Sequence, residues 1–206
     1  MHLLKHTEKQ RLEEYLRLYR RCFNPDERVS TRVLRWVIQP SPRRVNPVHL
    51  FAAYLNKELV GGACTVVFPA FQAVFGSYIF VAPRWRGQGF GEKILREVLR
   101  KERSGTGAAN WRLYAEITAS SGDSWHKLLE RVGFQFFKAD WPLCSYEDPS
   151  KVIPGRLCYY PFRRNPPARF SQPAFLAYVH TLFYGPESMH RHLLPRLREF
   201  VRLDAG

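Results

Sequence analysis

Residues 81–95 read VAPRWRGQGFGEKIL, with glycine at 87, 89 and 91 and arginine at 84 and 86. An apolar run comes before the glycines and an amphipathic run after them, so the spacing predicts strand, tight turn, then helix. Phe90, Ile94, Leu95, Val98 and Leu99 fall on one face of that helix. The glycines then sit at a helix N-terminus, where backbone N–H groups have no intrahelical acceptor. Without side chains they let an anion approach those donors, and the helix dipole adds to the attraction. Arg84 and Arg86 add full positive charge. Pyrophosphate binding is the chemistry that fits. Two nucleotide motifs are excluded by spacing: no Gly-Lys-Ser/Thr follows at P-loop distance, and the G-x-G-x-x-G pattern would need glycine where the chain has Glu92 or Ile94.

The elements that must position this turn follow from periodicity. Residues 2–6 fit a short strand. In TEKQRLEEYLRLYRRCF, Leu12, Leu16 and Tyr19 make a helical stripe with Tyr15 and Phe23 beside it. Thr7, with Gln10 three residues on, reads as its capping box, and Asn24-Pro25 as its end. A second helix is expected over about 25–38, on the stripe Val29, Val33, Leu34 and Val37. Strand-like runs cover 48–55, 59–68 and 73–81, and their short connections predict antiparallel neighbours. Gly61-Gly62 suggests a bulge or a close backbone approach. After the glycine turn come a helix to about Arg103, a strand over 111–118, a helix over 122–133 and a strand over 134–141. Residues 142–174 are rich in proline, 177–185 read as a strand, and PESMHRHLLPRLREFVRL as a closing helix interrupted near Pro195. Too little chain follows the prolines for a second stable domain. One domain is expected over 1–206, with 1–141 as its core and 142–206 completing it.

Composition limits the class. The chain has 206 residues, 45% of them apolar and 15% aromatic, which is globular. Lys plus Arg number 32 against 18 Asp plus Glu, and 32 − 18 gives a net charge of +14. Such an excess attracts polyanions, whether nucleic acid, acidic lipid or a phosphate-rich ligand. Cys22, Cys64, Cys144 and Cys158 include no C-x-x-C pair, which argues against structural zinc and favours a reducing, cytoplasmic setting. No signal peptide or membrane span is visible, a span needing roughly 18 apolar residues. His190 and His192 are two apart on an expected helix and diverge, so no metal site is expected.

Strand, V-x-P, R-G-Q-G-x-G and amphipathic helix, in that order, resemble the acetyl-CoA motif of the GNAT superfamily of N-acetyltransferases. Its Gln/Arg-x-x-Gly-x-Gly/Ala maps onto Arg86, Gly89 and Gly91, and LLERVGF (128–134) resembles the later LYEKLGF segment. The likeness covers about 1–140 well. It implies an α+β fold: a mixed, mostly antiparallel sheet of about six to seven strands flanked by helices, with two strands parted beside the motif. It implies acetyl-CoA as cosubstrate, with no metal. Phe80, Val81 and Ala82 would pair with the pantetheine arm, while Arg86, Gly87, Gln88, Gly89, Phe90 and Gly91 would hold the phosphates. The thioester would lie between strands 73–81 and 111–118, open to direct attack by an amine.

The tyrosine that is usually the acid in LYEKLGF is replaced here by Leu129. Glu116 is the candidate base, since it lies on the strand beside the cleft, where Arg112, Tyr114 and Thr118 share its face; a structural pair with Arg112 is the alternative. His126 is a candidate proton donor or a surface histidine, and Tyr78 a cleft hydroxyl or a core ring. The aromatic residues beyond 141 would shape a pocket for a small-molecule or peptide amine. Two rival readings stand beside this one: a basic module that binds nucleic acid, and a GNAT fold that binds coenzyme A without transferring.

Overall fold

The structure is a computed structural model, and it describes residues 1–5, 7–41, 46–106, 111–118, 122–148, 150–162, 172–184 and 192–193. The strands are β1 (His2–Leu3), β2 (Val48–Leu55), β3 (Glu58–Phe68), β4 (Ala73–Val81), β5 (Arg112–Thr118), β6 (Gln135–Cys144) and β7 (Val152–Pro161). The helices are α1 (Lys9–Cys22), α2 (Thr31–Val37), α3 (Phe90–Thr106), α4 (Gly122–Val132) and α5 (Gln172–Tyr184). The strands form one seven-stranded sheet in the order β1-β2-β3-β4-β5-β7-β6. Among the described residues only β4 and β5 are parallel, and every other neighbouring pair is antiparallel. This is the mixed, mostly antiparallel α+β architecture that the sequence predicts.

Each face of the sheet has its own core. Ile94, Leu95 and Val98 of α3 pack with Leu129 and Val132 of α4 against Ala63, Val74 and Leu113. On the other face, Tyr15, Leu16 and Tyr19 of α1 pack on Leu50, Cys64 and Phe80. Further along that face, Phe175, Leu176 and Val179 of α5 cover Phe75 and Tyr114. Gly61 and Gly62 mark how closely α1 and α3 approach. A Cβ on Gly61 would lie 2.8 Å from Ile94 Cδ1, and one on Gly62 would lie 2.5 Å from Tyr15 Cε2 and 2.7 Å from the Phe51 carbonyl oxygen. Gly62→Ala is therefore expected to destabilise the fold by about 1–3 kcal/mol, the usual cost of overpacking, as measured by denaturant unfolding.

Four expectations need correction. Thr7 does not cap α1. The cap position belongs to Glu8, which makes no side-chain cap bond; its carboxylate accepts from the Lys5 amide and binds His2 and Arg11. Residues 25–38 are not one helix but a short 3-10 turn over Pro25–Glu27 followed by α2, whose start Ser30 caps at the Val33 amide. The break falls at Val29, whose N–H donates to Tyr78 Oη at 2.9 Å and whose carbonyl accepts from Tyr19 Oη at 3.1 Å. Those backbone groups are committed to two tyrosines, not to a helix ladder.

Residues 177–185 are not a strand either. Through 184 they belong to α5, where Phe175, Leu176, Val179, His180 and Tyr184 are buried at helical spacing. An apolar run this short does not reveal its period. Finally, β7 lies within the stretch read only as rich in proline. Pro154 disfavours a strand, yet it pairs with Pro142 of β6 beyond Gly155, where β5 pairing ends. At that rung no amide is required of either residue. The expected closing helix over 186–203 falls outside the described residues apart from His192 and Leu193.

Candidate active site

The site begins with one extra residue. Cys64 of β3 pairs with Tyr78, and Thr65 with Gly76, so Ser77 is left over as a β-bulge. The bulge reverses the alternation of β4. Ala73 and Phe75 face the α5 core and Val74 the α3 core, but beyond Ser77 it is Tyr78 and Phe80 that face α1 and Val81 that faces α3. Pairing with β5 also ends here, at Gly76 opposite Ala115, whereas β5 stays paired with β7 as far as Thr118. The two central strands therefore part. A cavity of about 750 Å³ occupies the gap, with Ser77–Val81 on one side and Glu116 and Thr118 on the other.

The outer end of this cavity is the glycine turn. Arg86, Gly87, Gly89, Phe90 and Gly91 line it. Gly87 and Gly89 have φ of 73° and 79°, and a Cβ on either would meet nothing within 4 Å. The left-handed turn thus needs glycine and leaves its backbone open. The Lys93 amide bonds to the Gly89 carbonyl, so the amides before it belong to the first turn of α3, ahead of the helix ladder. A Cβ on Gly91 would lie 3.6 Å from Trp125 and Leu128 of α4, so the second helix stands close against this end. Arg84 is paired with Glu58.

Among the residues expected at the cofactor, Ala82 and Gln88 do not line the cavity. The Ala82 amide donates to the Val60 carbonyl of β3 at 2.9 Å, and the Gln88 side chain donates to the Arg84 carbonyl. Strand alternation then turns the backbone groups of Ile79 and Val81, not those of Phe80 and Ala82, toward the gap. The Val81 carbonyl there accepts from Arg86 Nε at 3.2 Å and from Cys22 Sγ at 3.7 Å. A ligand amide bonding to Val81 would displace these side chains and release Arg86.

Glu116 stands at the inner end. Its Oε2 accepts from Trp141 Nε1 and its Oε1 from Tyr184 Oη, both at 2.8 Å. What exposure it keeps is toward the cavity it lines. Burial pushes its pKa up to about 7, against the two hydrogen bonds, which pull it down. Its partners are thus Trp141 and Tyr184 and not Arg112, whose guanidinium lies over the Tyr159 ring.

Tyr78 lines the same cavity, but its hydroxyl accepts from the Val29 amide and its ring sits among Tyr19 and Phe23. Burial pushes its pKa up to about 12. His126 is not among the lining residues. It stacks on Phe136 at 4.0 Å and lies 3.2 Å from Glu130. Leu129 points into the α3–α4 core, and Leu128 faces the cavity in its place.

Tyr184 and Trp141 were missed as site residues. Nothing local in the sequence marks them, since they reach Glu116 only because β7 and α5 fold back over β5.

Comparison with known proteins bears on this geometry. Residues 46–136 match the family model described as an acetyltransferase (GNAT) domain. Residues 46–136 thus form a GNAT acetyltransferase domain. The match spans β2 to the start of β6 and contains the parted strands, the glycine turn and Glu116. Solved structures of similar fold extend further. A Bacteroides thetaiotaomicron protein described as of the GNAT family is 16% identical over 89% of this chain and 97% of its own, with a TM-score of 0.69. The ribosomal-protein-S18-alanine N-acetyltransferase of Escherichia coli is 17% identical over 80% of this chain and 96% of its own, at 0.56. A Salmonella typhimurium protein solved with its cofactor acetyl-CoA is 18% identical over 80% and 94%, at 0.55. A search of curated proteins gave no match. At these identities the likeness is one of fold, so the acceptor must be argued from the residues of the GNAT domain and of the chain that follows it. Among the described residues no helix is long and apolar enough to cross a membrane, and no group of three metal-binding side chains is present.

Proposed function

We propose that this GNAT domain moves the acetyl group of acetyl-CoA to a primary amine by direct attack on the thioester. One observation carries the reading. A carboxyl group with a pKa of about 7 stands in a cavity whose other end is an open, left-handed glycine turn at a helix start. The residues fit the cosubstrate. The first-turn amides of α3 and Arg86 hold its pyrophosphate, and the Ile79 and Val81 backbone holds its amide-bearing arm. When bound, acetyl-CoA supplies an activated acyl group.

The rest of the chemistry concerns protons. An alkyl ammonium has a pKa of about 10 and is almost wholly charged near neutral pH. Glu116 takes its proton, directly or through water, and a base with pKa near the working pH does this best. A thiol is more acidic than an alkyl ammonium, with a pKa of about 8.5 for a cysteine-like one, so the leaving group departs without a strong acid. That suits a chain in which Leu129 is buried and His126 is stacked outside the cavity. Four free cysteines, three of them buried, suit a reducing compartment such as the cytoplasm.

The test is calorimetry with acetyl-CoA, followed by free-thiol release with a panel of amines. No binding of acetyl-CoA would end the reading. Binding without thiol release from any amine would favour a domain that holds coenzyme A and transfers nothing. A rise in melting temperature with oligonucleotide but not with acetyl-CoA would favour the nucleic-acid module.

We further propose that 1–206 is a single domain. β7 lies between β5 and β6, and Trp141 and Tyr184 both bond to Glu116. Limited proteolysis is therefore expected to yield no stable fragment ending near residue 141.

A further inference from the structure

A second cavity, of about 830 Å³, lies on the α1–α5 side of the sheet. That volume is within the usual range for small-molecule sites, roughly 300–1,000 Å³. Val33 and Trp36 of α2, Val66 of β3, and Leu182 and Phe183 of α5 supply its apolar walls. It has three walls in common with the cavity between the parted strands: Ser77, Tyr78 and Tyr146. A molecule in the second cavity therefore reaches the bulge where β4 leaves β5, coming from the face opposite α3 and its glycine turn.

The chemistry of the walls specifies the occupant. Val33, Trp36 and Leu182 are 43%, 64% and 51% exposed, which gathers large apolar side chains at one mouth. Patches of that kind mark binding surfaces. Among the described residues the charged lining groups are Arg28 and Glu147, of opposite sign, so a polycation finds one carboxylate there and a competing guanidinium. At the junction, Ser77 Oγ is buried and has no hydrogen-bond partner among the described residues, and an arriving N–H would satisfy it. We propose that the acceptor is a primary amine carried on a bulky, mainly apolar body, of the arylalkylamine or long alkylamine class. The body fills the second cavity, and the amino group projects past Ser77 toward Glu116. This names the acceptor class of the acetyl-transfer reading and rests on it.

The test measures thiol release from acetyl-CoA with tryptamine, 2-phenylethylamine and hexylamine, against spermidine and lysine. In parallel, calorimetry follows binding of 3-phenylpropanol, which has no amine to acetylate. The apolar amines are expected to have kcat/KM at least 10-fold above spermidine and lysine, the lower end of what a fitted apolar pocket provides. Leu182→Asp, at a half-exposed position, should weaken 3-phenylpropanol binding and raise KM for the apolar amines about 10-fold, with acetyl-CoA affinity kept. Spermidine or lysine reacting as fast as the apolar amines would overturn the proposal, as would an unchanged KM in Leu182→Asp. So would 3-phenylpropanol failing to bind. If 3-phenylpropanol binds and no amine releases thiol, the transfer reading fails and takes the acceptor assignment with it, while the cavity remains an apolar ligand site.

Discussion

Glu116→Gln is expected to lower kcat/KM for acetyl transfer by about 10²-fold or more, the size typical of losing a general base, with acetyl-CoA affinity unchanged. The substitution keeps the shape between Trp141 and Tyr184 and removes the charge. In the wild type, kcat/KM should rise with pH through about 7 as Glu116 deprotonates, and the variant should lack that limb. Tyr184→Phe removes a hydrogen bond that favours the carboxylate, so it should move the limb to higher pH.

Stability gives an independent check. The folded pKa is raised from 4.5 to about 7, so the folded state holds this proton more tightly than the unfolded chain does. The contribution of Glu116 to stability is therefore fully present below about pH 4.5 and lost as pH rises through about 7. Glu116→Gln should accordingly be no less stable than the wild type at pH 8, which separates a catalytic loss from unfolding. His126→Ala should change the rate far less, given its stacking on Phe136 outside the cavity. The reverse ranking of the two variants would move the proton chemistry to His126.

Gly89→Val is expected to lower acetyl-CoA affinity by roughly 10²-fold or more, the loss of one or two charge-assisted hydrogen bonds at about 1.5–3 kcal/mol each. The fold has room for the side chain, since nothing lies within 4 Å of a Cβ there. That open space is the approach to the first-turn amides of α3. A φ of 79° also strains a β-branched residue, so a modest loss of stability should accompany the effect. Unchanged affinity by calorimetry, in a variant that still folds, would place the pyrophosphate elsewhere.

Most of the chain up to about residue 141 was legible because its periods are unambiguous, the Thr7 cap and the break within 25–38 excepted. The expected strands 48–55 and 73–81 coincide with β2 and β4. The glycine turn was legible because its chemistry is local: backbone donors, absent side chains and a helix start, all within a few residues. Glu116 was reachable through alternation along β5. Its environment was not, because Trp141 and Tyr184 belong to β6 and α5, and neither element shows its placement in its own composition. Pro154 hides β7, and the uncharged run 175–184 hides the helical period of α5. The reversal within β4 was equally hidden, since AVFGSYIFV reads as one unbroken strand.

That extra residue makes the site depend on slack in one strand more than on any single side chain. The strand repeat is two residues, and the register closes over Ser77, with Cys64 opposite Tyr78 and Thr65 opposite Gly76. Removing Ser77 would restore strict alternation from Ala73 onward and leave Tyr78 and Phe80 toward α1 and Val81 toward α3. It would also remove the local bend that a bulge gives its strand, at the point where β4 parts from β5. A straight β4 should run on beside β5 and narrow the gap that the cavity occupies. Replacing Ser77 by another small residue keeps the extra length. Position 77 should therefore tolerate many letters but not a deletion, much as a loop of slack in a rope can be dyed any colour but not cut out.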